Sequence, residues 1–116
     1  IGNFSFRNPV QFNDVVEPNV RDAEYETEAL IDHVFWHKNT APFISYRLIQ
    51  RFVSSNPSPR YVRAVSEAFR TGTYKNRMYS GSYGDLGAAI AAVLLDREAR
   101  SGLLDHDPTH GTIREP

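Results

Sequence analysis

The chain has 116 residues and a mass of 13.2 kDa, with 41% hydrophobic and 23% charged residues, enough for one domain with a buried core and too apolar for wholesale disorder. Thirteen Lys and Arg face fourteen Asp and Glu, a net charge of −1, so no overall field points to nucleic acid or an acidic membrane. Cysteine is absent, which excludes a disulfide framework, a thiol nucleophile and Cys-ligated zinc or iron–sulfur centres.

The first 20 residues carry Phe4 and Phe6, then Val10 and Phe12, each pair alternating with polar neighbours, while Pro9, Pro18 and Asn13-Asp14 supply turn chemistry. Two short strands alone are marginal in water, so this stretch is expected to be an extended arm. From Asp22 the period becomes helical. Asp22, Glu24, Glu26 and Glu28 suit the positive end of a helix dipole, and Leu30, Ile31, Val34 and Phe35 form an apolar stripe up to about Trp36.

His37-Lys38-Asn39 ends this helix, and the next starts almost at once, with Asn39 or Thr40 as its cap and Pro42 in its first turn. Its expected buried face is Ile44, Leu48, Ile49, Phe52 and Val53, and Ser54 to Pro57 breaks it. Ser58 as N-cap with Pro59 behind it opens a third helix, whose Val62, Val65 and Phe69 fall on one face. Gly72 suits the left-handed residue just past its end. Residues 73–84 hold two Gly, three Tyr and two Ser without helical period and are read as a loop. Asp85 then caps a fourth helix, Leu86 to Leu95, apolar almost all round and therefore expected at the centre of a core. Asp96 caps a short turn through Ala99, ended by Gly102, and from Asp105 the chain reads as coil.

The expected fold is all-α: about four helices in a small orthogonal or bundle-like array, with an extended arm at 1–20, a helical domain at 21–104 and a C-terminal coil at 105–116. Short links favour packing between helices adjacent in sequence. The longest apolar run, Ala88 to Leu95, is eight residues, against the roughly 20 that a spanning helix needs. The chain opens on Ile1 and not on methionine, which reads as a processed or truncated start.

Few constellations carry chemistry. His33 and His37 share a helix face, but Val34 stands where the zinc-protease pattern needs glutamate, and His37 sits where a cation merely complements the helix dipole. His106, Asp107 and His110 offer metal-ligand types in the tail. Counting from Asp105, however, a calcium loop's required glycine and glutamate are replaced by His110 and Pro116, and the plainer reading is a solvated turn. Arg47, Arg51, Arg60, Arg63, Arg70, Lys75 and Arg77 stand against Glu67 alone across residues 47–77, a net of +6, whereas residues 1–46 carry −4 and residues 78–116 carry −3. The acidic ends, in preference to nucleic acid, are taken as the counterpart of this basic middle. Arg47 and Arg51 are expected to be partly buried, tying their helix to a carboxylate or to helix-end carbonyls. Trp36 reads as a core or groove aromatic. Ser80-Gly81-Ser82 has no base beside it, and no Gly-rich loop follows a strand.

His37, Asn39 to Phe43, Leu48 to Val53 and Asn56 to Pro59 resemble the pattern of the DUF1800 family, a widespread group of largely uncharacterised bacterial proteins with members in diatoms. Gly84-Asp85-Leu86, Leu94 to Asp96, Glu98 to Arg100, Gly111 and Arg114 to Pro116 extend the resemblance over about residues 25–116. The resemblance implies a mostly helical fold in longer proteins that often look exported, hence a secreted or cell-surface location, with this chain matching the C-terminal portion. It implies no catalytic residue and no cofactor.

The leading expectation is a non-enzymatic structural or interaction module, completed by other segments of its own longer chain or by neighbouring chains, with oligomers possible. One rival is a metal-assisted hydrolase or oxidoreductase using His106, Asp107 and His110, with His37 as a further ligand. The other is a polyanion binder working through Arg60, Arg63, Arg70 and Lys75.

Overall fold

The structure, a computed structural model, describes residues 21–111; the expected arm at 1–20 and residues 112–116 of the expected tail lie outside the described residues. The described chain is mostly helical. Helices α1 (Arg21–Phe35), α2 (Thr40–Phe52) and α3 (Pro59–Thr71) are followed by strands β1 (Thr73–Tyr74) and β2 (Arg77–Met78), helix α4 (Leu86–Leu95) and a 3-10 helix at Gly102–His106. None of these helices is long and apolar enough to cross a membrane. The chain divides into two compact units, Ile1–Thr40 and Ala41–Pro116.

In the first unit, α1 gathers Glu24, Glu26 and Glu28 toward its start, negative charge where the helix dipole favours it, and carries His33 in its last turn. Leu30, Ile31 and Val34 of its apolar stripe are exposed. The chain then turns through His37 N–H to Val34 O at 3.2 Å and Thr40 N–H to His37 O at 2.9 Å. Of the two cap candidates, Asn39 and Thr40, Thr40 turns its hydroxyl back to donate to the Val34 carbonyl, which leaves Asn39 at the position before α2. A carbonyl at the end of α1 is satisfied in this way, the problem every helix terminus poses.

The second unit is organised around α3 and α4, which pack on each other more extensively than any other pair of elements, with β1 against both. Ala88, Ala89 and Ala92 give α4 a flat face, so the large side chains of α3 (Tyr61, Val65 and Phe69) close onto it and are buried. This corrects the expectation that α4 lies at the centre of a core. Only its alanine and Val93 face is buried, while Leu86, Ile90, Leu94 and Leu95 point outward and are exposed. The buried face of α2 is also narrower than expected. It consists of Ala41, Ser45 and Ile49, with Ile44 and Leu48 half-buried and Phe52 57% exposed.

The α3 termini follow the sequence signals closely. Ser58 Oγ accepts from Tyr61 N–H at 3.2 Å, Pro59 occupies the first turn, and Gly72 closes the helix with φ 63°, its N–H donating to Ala68 O. A side chain at Gly72 has no room, since a Cβ there would lie 2.5 Å from the backbone nitrogens of both Gly81 and Ser82. The stretch 73–84 is not irregular throughout. Lys75 (φ 44°) and Asn76 (φ 55°) form a two-residue mirror-image turn that pairs Thr73 with Met78 and Tyr74 with Arg77. The rest of the stretch folds back on α3, with Tyr79 N–H donating to Gly72 O at 2.9 Å and Gly84 N–H to Phe69 O at 2.9 Å. Asp85 caps α4 as expected, accepting from Ala88 N–H at 2.8 Å, and it also accepts from Ser80 N–H at 2.6 Å. The tail begins as a 3-10 helix, where coil was expected from Asp105. It reaches the α2–α3 link, where Gly111 O accepts from Ser55 N–H at 2.7 Å.

Candidate functional site

The start of α3 and the end of α4 meet in a cluster of polar side chains. Glu98 Oε1 accepts from Ser58 N–H at 2.8 Å, and Glu98 Oε2 accepts from the Ser58 hydroxyl. The carboxylate therefore satisfies a donor at a helix N-terminus, where the dipole also favours negative charge. Arg60, in the first turn of α3, forks onto Asp96 with Nη1 to Oδ2 at 3.1 Å and Nη2 to Oδ1 at 2.5 Å, and reaches Glu98 Oε2 at 3.2 Å. Such a two-point guanidinium–carboxylate pair fixes orientation as well as charge. Asp96 Oδ1 also accepts from Glu98 N–H at 2.9 Å, forming the turn expected after α4. Deeper in, the Tyr61 hydroxyl donates to Val93 O inside α4, and Lys75 Nζ donates to Leu95 O at 3.0 Å.

The electrostatics follow from this arrangement. Burial pushes the Asp96 carboxyl up, but the Arg60 hydrogen bond, the Glu98 N–H and the charges of Arg60 and Lys75 outweigh it, so the group sits below the ordinary carboxylate value. The Asp96 hydrogen bond holds Arg60 more firmly protonated. Burial, reinforced by the charges of Asp96 and Glu98, keeps the Tyr61 hydroxyl neutral well above the usual phenol range.

Beside this clasp, Ser58, Glu98, Asp107, Thr109 and His110 line a cleft of about 360 Å³ with the Asn56-Pro57 pair. The cleft gathers two of the three tail residues singled out as metal ligands, Asp107 and His110. His106 is exposed at the end of the 3-10 helix and does not line it. Asp107 Oδ1 is engaged by Thr109 N–H at 2.8 Å and Thr109 Oγ1 at 2.7 Å, and these bonds hold its carboxyl below the usual range. That is the geometry of a self-bonded turn. Among the described residues, no group of three or more His, Asp or Glu side chains is placed to hold a metal ion. Ser58 is not poised as a nucleophile either, because its hydroxyl proton goes to Glu98 and its oxygen accepts the Tyr61 N–H.

The remaining candidates are scattered. Trp36 is 65% exposed, packs edge-on against Phe35 at 5.4 Å and lines a groove of about 640 Å³ along α1 with Tyr25, Asp32, His33 and His37. The His33 and His37 rings lie 6.4 Å apart and tilted, and His37 Nδ1 accepts from Asn39 N–H at 3.2 Å. Arg47 and Arg51 are exposed, which corrects the expectation of partial burial. Arg47 lies over the Phe43 ring at 5.6 Å and donates to Gln50 Oε1 at 3.3 Å, so it is held within α2, and among the described residues it makes no tie to a carboxylate. Arg63 and Arg70 border a shallow hollow of about 280 Å³, and Arg70 also reaches Glu67 at 3.3 Å. Arg60 and Lys75, half of the proposed polyanion set, are spent on α4 and its following turn.

The arrangement defines a small helical domain in which several polar residues of the sequence signature serve helix ends. Asn39-Thr40 serves the turn after α1, Ser58 and Glu98 the start of α3, Asp85 the start of α4, Asp96 the turn beyond it, and Gly111 the α2–α3 link. The model of the family described as "Protein of unknown function (DUF1800)" matches residues 7–116, and the chain belongs to that family. No curated protein and no solved structure matches it. The pairing of Glu98 with Ser58 and of Asp96 with Arg60 joins positions about 40 apart in sequence, and no local pattern announces it.

Proposed function

We propose that this chain is a non-enzymatic helical module whose outward apolar surfaces are covered by other protein surface. One observation carries the reading: His37, Thr40, Ser58, Asp85, Asp96 and Glu98 of the family signature are spent on holding helix ends and the turns beside them. The exposed Leu86, Ile90, Leu94, Phe52 and Phe43 support the second half of the proposal, since apolar side chains left in water on adjoining turns of a helix mark a surface that something covers. The purified chain is expected to bind a hydrophobic dye such as ANS in its folded state and to associate with rising concentration in sedimentation velocity. A compact monomer with a well-dispersed NMR spectrum, no dye binding and no association refutes the proposal.

A further inference from the structure

The tail is weakly attached to the rest of the second unit. Its 3-10 helix, Gly102–His106, is a form with poorer hydrogen-bond geometry than the α-helix. The chain enters it through two long bonds, Ser101 N–H to Glu98 O and Leu104 N–H to Ser101 O, each at 3.4 Å. Gly102, Leu103, His106 to Thr109 and Gly111 are exposed, Leu103 by 83%, while Leu104 and His110 are half-buried. Among the described residues no ion pair joins residues 102–111 to the body of the unit. The anchor at the far end is Gly111 O, which accepts from Ser55 N–H at 2.7 Å and from the buried Ser54 hydroxyl at 3.4 Å. Between entry and anchor, Leu104, Asp107, Thr109 and His110 form one wall of the 360 Å³ cleft, and Asn56 to Pro59 with Glu98 form the other. Open space thus stands where packing would otherwise hold the tail down.

Within itself the tail is continuous. Asp107 N–H donates to Leu104 O and His110 N–H to Asp107 O, both at 3.0 Å, and Asp107 Oδ1 collects the N–H and the hydroxyl of Thr109. A segment with its own short-range bonds and few ties to its surroundings opens as a unit, at a lower free energy than the core. Gly102 stands at the hinge end. A Cβ there would meet nothing within 4 Å, so packing does not call for glycine at that place. We propose that residues 102–111 are a strap that swings off the start of α3 as one piece while the α3–α4 core stays folded. Closed, the strap walls off Asn56 to Pro59 and Glu98; open, it turns the cleft into an accessible face of the unit. Ser58 and Glu98 keep their bond in both states, because neither partner belongs to the strap.

The test is native-state amide hydrogen exchange of the full chain, followed by NMR at several low urea concentrations. Ser55 is the informative reporter, because its N–H is on the body and its acceptor on the strap. The Ser55, Asp107 and His110 amides are expected to share one opening equilibrium that responds little to urea. After correction for intrinsic rates they should exchange at least about tenfold faster than the amides of the buried Gly72 and Ala89, which donate to Ala68 O and Asp85 O. Leu104→Ala removes half-buried apolar surface and is expected to speed all three strap reporters about five- to tenfold. Gly102→Ala fits the open space, restricts the hinge and is expected to slow all three about two- to fivefold. Gly72 and Ala89 should be unmoved by either variant. Exchange of Ser55 together with the core and with the core's urea dependence overturns the proposal. So do a Ser55 rate that neither variant changes and three unequal opening equilibria, which would mean fraying residue by residue.

Discussion

Glu98→Ala removes the carboxylate that receives both the N–H and the hydroxyl of Ser58, and leaves Arg60 with Asp96 alone. The Glu98 side chain is only 16% exposed, so water replaces the lost acceptor incompletely. A hydrogen bond to a charged group contributes about 1.5–3 kcal/mol. The Arg60 contact adds little, because the Arg60 side chain is 40% exposed and solvent screens it. The expected loss is therefore about 2–3 kcal/mol, measured by urea denaturation followed by circular dichroism. Ser58→Ala is expected to cost about 1–2 kcal/mol, as loss of an N-cap does. If the two residues act as one clasp, the double variant should be less destabilised than the sum, with a coupling of about 1 kcal/mol or more. Strictly additive effects, or a Glu98→Ala variant as stable as the parent, would refute the assignment of these residues to helix-end satisfaction and reopen the cleft as a chemical site.

Three further outcomes follow from the same geometry. Gly72→Ala places a side chain at φ 63° against two backbone nitrogens, and the left-handed strain plus the clash should cost at least about 3 kcal/mol in denaturant titration. Asp96 has a folded-state pKa below its unfolded value, so the unfolded chain binds more protons in acid. The stability Asp96 contributes is complete above the ordinary aspartate value, about 4, and is lost as pH falls through the lower folded value; urea midpoints between pH 6 and pH 3 should drop less in Asp96→Asn than in the parent. Tyr61→Phe deletes the hydroxyl that donates to Val93 O and should cost about 1 kcal/mol at neutral pH with no change in helix content, read from thermal melts and far-ultraviolet circular dichroism.

Helix boundaries were legible because their causes are local. Ser58-Pro59, Gly72 and Asp85 each act through a φ angle or a backbone bond within a few residues, and the structure puts all of them to the use their chemistry suggests. The hairpin at 73–78 was missed because its turn is made by Lys75-Asn76, with no glycine to mark positive φ, and its strands are too short to show alternation. The sequence leaves Asn39 and Thr40 as alternative caps for the helix ahead of them, whereas a hydroxyl can equally serve the carbonyl behind it, as that of Thr40 does.

The side on which a helix faces inward was a different matter. The near-uniform apolar character of α4 said that the helix packs, not which side does so, and only the fit of alanines beneath Tyr61, Val65 and Phe69 left the leucines outside. Composition and pattern by themselves thus determined that this chain is helical, where each of its four described α-helices begins to within about a residue, and that no thiol chemistry is available to it. The tertiary structure alone decided that Arg60 belongs to Asp96 and Glu98 to Ser58, because those partners are brought together across about 40 residues of chain by the packing of α3 on α4. Local chemistry is written in neighbouring letters. A contact between distant ones exists only after the backbone has closed the loop between them, and its energy depends on the burial that closure creates.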